Sequence, residues 1–75
     1  MIDVKSFIKI GEYRCKIGDI QDYNYAGRVA TADGTQWRID LIRRNKVKYC
    51  YFKTEQEALE MLDYLDITFE VKKLK

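Results

Sequence analysis

The stretch WRIDLIRRNKVKYCYFKTEQEALEMLDYL, residues 37 to 65, changes its hydrophobic period midway. Up to Phe52 apolar and polar residues alternate, the period of a strand, and from Ala58 they recur every three and four residues, the period of a helix. Trp37, Ile39 and Leu41 fall on one side of the first run, and Arg38, Asp40 and Ile42 on the other. Arg43-Arg44-Asn45-Lys46 supplies a turn, with Asn45 suited to a left-handed backbone. VKYCYF, rich in aromatic and β-branched residues, reads as the next strand. Its crowding of Tyr49, Tyr51 and Phe52 requires either an outward-pointing aromatic or a bulge near Cys50. Thr54 followed by Glu57 predicts a capping box that opens a helix over about residues 55 to 65. Glu55 and Glu57 suit the positive end of its dipole. Ala58, Leu59, Met61, Leu62 and Leu65 make its apolar face. Leu59 and Leu62 are expected to be buried against Trp37 and Ile39.

Working outward, Asp33-Gly34 lies between two strand-like runs in GRVATADGTQWRIDLI and predicts a tight hairpin. Near the N-terminus, FIKI and YRCKI read as short strands punctuated by Gly11 and Gly18. GDIQDYNYAG reads as an irregular connection, and the alternating tail ITFEVKKL as a final strand. The fold class expected is α+β, a single small domain over residues 1–75 in which one helix covers one face of an antiparallel sheet of three to five strands. Such a sheet leaves its other face in water. Arg38, Asp40, Lys46 and Lys48 are expected on that open face, with Arg28 beside them if its strand pairs in phase.

Composition narrows the function classes. A chain of 75 residues with 47% apolar content supports one small core, and 35% charge with no proline argues against disorder. No apolar run is long enough to span a membrane, and MIDVKSFIKIGEYRC has no apolar h-region, so a cytoplasmic location is expected. Cys15 and Cys50 form no C-x-x-C and are expected to be reduced, buried apolar residues. With no histidine, one serine and no phosphate-cradling loop, the parts for nucleophilic or metal catalysis are missing, so neither enzyme activity nor a cofactor is expected. The charge is unevenly placed. Residues 26 to 53 hold seven bases (Arg28, Arg38, Arg43, Arg44, Lys46, Lys48, Lys53) against Asp33 and Asp40, a net of +5, while the remainder nets −3. A positive face is a candidate binding face.

The order of elements, with WRIDLI, a basic turn and then YFKTEQEALEML, resembles the AP2-like DNA-binding domains over roughly residues 25 to 65. These include the plant AP2/ERF domains and the N-terminal arm-binding domains of tyrosine integrases. The step from last strand to helix, here Phe52, Thr54, Glu57 and Ala58, carries the likeness most directly. The resemblance implies a module of phage or mobile-element origin that reads duplex DNA in the major groove with the open face of its sheet. Arg28, Arg38, Asp40, Lys46 and Lys48 then fall near contact positions, and Arg43 and Arg44 complete the basic cluster. The alternative is a small protein-binding inhibitor or adaptor, of the phage anti-host or anti-defence type, that grips an acidic protein with the same basic face. A homodimer through an exposed edge strand is a further possibility under either reading.

Overall fold

The structure, a computed structural model, describes residues 6–69. The elements are β1 (Phe7–Ile10), β2 (Tyr13–Lys16), a short 3-10 turn (Ile17–Asp19), β3 (Asp22–Thr31), β4 (Gly34–Arg43), β5 (Lys46–Phe52) and α1 (Glu55–Thr68). β3, β4 and β5 form one antiparallel sheet in that order, and β1 with β2 forms a separate hairpin. This is the expected α+β class, built from a three-stranded and a two-stranded sheet.

Turn chemistry sets the pairing. Arg44 and Asn45 both take left-handed φ, at 51° and 63°. They form the two-residue loop that suits the right-handed twist of its strands. Arg43 therefore pairs directly with Lys46, and the register runs without a break to Trp37 opposite Phe52. β5 thus needs no bulge at Cys50: Cys50 turns inward, while Tyr49 and Tyr51 point out. The bulge lies instead in β3, where the register shifts between Tyr25 and Gly27 and leaves Ala26 as the extra residue.

Two elements cover one face of the sheet. Ile39 and Leu41 of β4 are fully buried, and Cys50 of β5 nearly so. They share a core with Leu65 of α1, with Ile8, Ile10 and Cys15 of the hairpin, and with Ile17 and Ile20. The molecule is correspondingly flat, with a shortest extent of 17 Å. The hairpin tip meets the edge of the sheet at Gly11, whose φ is +63° and where an added Cβ would lie 2.7 Å from the Tyr51 carbonyl oxygen.

α1 starts as expected. The Glu57 amide donates to Thr54 Oγ1 at 3.2 Å, and that hydroxyl contacts Glu57 Oε1 at 3.1 Å. Three expectations are corrected. β3 begins at Asp22, inside the stretch read as an irregular connection, because Tyr23 and Tyr25 alternate onto the core. α1 runs to Thr68 with Phe69 as its C-cap, so Ile67 and Thr68 are helical and not part of a strand. Phe69 lies four residues beyond Leu65 and packs against the core, which prolongs the helical stripe. The rest of the expected tail strand, residues 70–75, lies outside the described residues. Leu59 is 43% exposed and off the stripe; Ala58 and Leu65 are the buried positions, with Met61 and Leu62 packed at the margin.

Candidate binding surfaces

The register assigns every strand residue to a face, since directly paired residues share a side. On the open face stand Asp22, Asn24, Gly27 and Val29 of β3, Gln36, Arg38, Asp40 and Ile42 of β4, and Val47, Tyr49 and Tyr51 of β5. Its charged strand residues are Asp22, Arg38 and Asp40, one base against two acids. Arg38 is also committed. Its Nε donates to Asp40 Oδ1 at 2.6 Å, and its guanidinium lies 4.2 Å from the centre of the Tyr49 ring. The hydrogen bond to Asp40 raises its pKa above the ordinary arginine value, against partial desolvation.

The bases expected beside Arg38 are elsewhere. Lys46 pairs with Arg43 and Lys48 with Leu41, so both stand on the inner side of the sheet, where both are exposed. The cause is the two-residue turn, which puts Lys46 in phase with Arg43. Arg28 pairs with Trp37 on the inner side as well, because the bulge at Ala26 inverts the phase of the strand after it. Arg43 is half-buried. It donates to the Tyr13 hydroxyl and lies 3.5 Å from Asp19, while its buried Nε finds no partner among the described residues. Arg44 is exposed in the turn. The open face therefore holds two of the seven expected site residues, Arg38 and Asp40, paired to each other.

A second group of bases went unnoticed in the sequence. In the hairpin, Ile8, Ile10, Tyr13 and Cys15 face the core, and Phe7, Lys9, Arg14 and Lys16 face outward. Phe7 pairs with Lys16 and Lys9 with Arg14, so three cations and one aromatic ring share a face that bears no acid. No carboxylate among the described residues forms an ion pair with these three cations. Tyr13, on the other face of the hairpin, accepts from Arg43 and has Lys48 Nζ 5.2 Å from its ring centre. The signal was present in FIKIGEYRCK, in the charge counted by strand face and not by stretch.

The covered side thus carries both signs, the bases of the hairpin and sheet end beside α1, which has Glu55, Glu57, Glu60, Asp63 and Asp66 and no base. The hairpin edge and the start of α1 flank a shallow groove of about 430 Å³ whose lining includes Lys9, Lys53, Glu12 and Glu57. No group of three or more Cys, Asp or Glu able to hold a metal ion occurs among the described residues. Both cysteines are free and buried; burial pushes the Cys50 thiol up to about 11 and raises Cys15 as well, which makes them poor nucleophiles at neutral pH. No helix among the described residues is long and apolar enough to cross a membrane. No family model, curated protein or solved structure matches the chain.

Proposed function

We propose that the chain is a non-catalytic nucleic-acid-binding module whose contact surface is the hairpin side of the molecule and not the open face of the sheet. The observation that carries this reading is the segregation of charge. Lys9, Arg14 and Lys16 share a hairpin face without acids and form no ion pair among the described residues, and Lys46 and Lys48 are exposed at the end of the sheet, whereas the open face holds one base that is already paired. Affinity for a polynucleotide comes first from phosphates neutralised by lysine and arginine, so a phosphate-facing surface needs unpaired cations. A surface with two acids to one base repels phosphate.

The test moves charge on each face separately. Duplex DNA is titrated at low and at higher salt against the wild type, the double variant Arg14→Glu/Lys16→Glu, and Arg38→Gln. The hairpin reversal should abolish measurable binding, and Arg38→Gln should leave it close to wild type. The opposite pattern would restore the open face as the reading surface, as the resemblance to AP2-like domains implies.

A protein partner is the second reading, and one observation favours it. Val47, Tyr49 and Tyr51 stand 56%, 49% and 40% exposed in a row along β5. Aromatic residues and arginine, with few lysines, are the composition of an interface core. Under this reading the open face is the docking surface, and Tyr49→Ala removes the complex while polynucleotide binding is absent in the wild type.

A further inference from the structure

Resting on the nucleic-acid reading above, we infer that the outer face of the β1–β2 hairpin selects single strands over duplex, with Phe7 as the platform on which a base stacks. Phe7 is the most exposed large apolar side chain among the described residues, at 58%. It is not stranded alone. Arg14 lies 5.7 Å and Lys16 6.0 Å from its ring centre, and Lys9 follows two residues on from it, on the same face. An aromatic ring set among cations matches the two halves of an unpaired nucleotide, a π-face and a phosphate.

Spacing agrees with this chemistry. Outward residues on one strand repeat at about 6.8 Å, and directly paired residues across the hairpin stand about 5 Å apart. Lys16 and Arg14 on β2, and Phe7 and Lys9 on β1, therefore form a compact two-by-two array. An extended strand crossing it can lay one base on Phe7 and its neighbouring phosphates on the cations. In a duplex the bases are stacked on one another, so the ring has nothing to bind and only the phosphate contacts remain. An acidic peptide would satisfy the cations equally well but would gain nothing from the ring.

The experiment is a fluorescence-anisotropy titration of a short oligothymidine, a duplex of the same length and polyglutamate. The proteins are the wild type, Phe7→Leu and Lys16→Glu, each first shown to melt cooperatively. Phe7 is exposed, so Phe7→Leu keeps the fold while removing the aromatic face. The single strand is expected to bind more tightly than the duplex, and Phe7→Leu should weaken it roughly tenfold. With three phosphate contacts at about −0.7 each, log K should fall against log salt with a slope near −2. Duplex bound as tightly as the single strand, or Phe7→Leu without effect while Lys16→Glu still weakens binding, overturns the single-strand inference and leaves the nucleic-acid reading standing. Polyglutamate bound while neither polynucleotide binds overturns both.

Discussion

The two faces of the central sheet come from the same three strands and are built to opposite rules. The inner face is apolar at its centre and basic at its ends: Ile39, Leu41 and Cys50 are buried, while Arg28, Lys46 and Lys48 are exposed and Arg43 is half-buried against Tyr13 of the hairpin. The open face is polar at its centre, where Arg38 and Asp40 pair, and aromatic along β5. Period-2 alternation in β4 assigns adjacent residues to these different environments, so Arg38 and Ile39 make the most direct comparison in the molecule. Basic residues clustered in sequence need not share a face. Arg38 turns to one side of the sheet and Arg28, Arg43, Lys46 and Lys48 to the other, and turn geometry decides which.

The largest effect expected is on stability, and it tests the contrast at that adjacent pair. Ile39→Ala deletes a fully buried side chain at the centre of the core and should cost about 2–5 kcal/mol. A domain this small holds little more than that in total, about 5 kcal/mol at the low end of the usual range, so many molecules would be unfolded. Arg38→Ala one residue earlier should melt close to wild type. Comparable losses in denaturant titrations of the two variants would break the assignment of faces.

The turns explain how far the fold and the surface could be read in the sequence. Alternation in WRIDLI and the Thr54–Glu57 cap were local signals, and the structure follows both. The phase of β5 was not local. Reading RRNK as a four-residue turn leaves the side of Lys46 open, whereas the observed two-residue loop at Arg44-Asn45 fixes it opposite Arg43. The place of Arg28 depends on whether β3 pairs in phase, and it does not: one extra residue at Ala26 inverts everything after it, and Ala-Gly there gives no warning. The end of α1 was hidden because no glycine or proline follows Leu65, and Ile67 and Phe69 satisfy a strand period as well as a helical one. The hairpin's basic face is legible by parity, but a charge count by stretch adds it to the acidic helix.

A smaller effect probes how the basic hairpin is held on the inner face. Gly11 has left-handed φ and meets the Tyr51 backbone, so Gly11→Ala is strained twice, by conformation and by contact. It should cost about 1–3 kcal/mol. Gly27, at φ +87° with nothing within 4 Å of an added Cβ, carries the conformational cost alone, about 1 kcal/mol. The ordering of the two in thermal melts is the measurement. Equal losses would mean that the hairpin tip does not bear on β5, and the hairpin would no longer be tied to the sheet at that point.

The smallest effect separates the polar ties on the two faces by their response to pH. On the inner side the Tyr23 hydroxyl donates to Asp66 Oδ1 at 2.7 Å, fastening β3 to the last turn of α1. Burial first, then that hydrogen bond and the Asp66 charge, raise the Tyr23 pKa well above its ordinary value of 10.0. The folded state therefore keeps the phenol proton in a range where the unfolded chain releases it. Stability from this tie is fully present below about pH 10 and is lost as pH rises above that value toward the folded pKa. The tie between Arg38 and Asp40 on the open face has no such alkaline dependence at those pH values, since the hydrogen bond raises an arginine pKa that was already above them. Unfolding free energies measured from pH 8 to 11 should thus fall more steeply for the wild type than for Tyr23→Phe, by up to one proton in slope. Asp40→Asn, which removes the carboxylate from the open-face pair, should leave the alkaline slope as it is in the wild type. A Tyr23→Phe slope indistinguishable from wild type would mean that the hydroxyl is not held by Asp66, and that β3 and the end of α1 are joined by apolar packing against Phe69 alone.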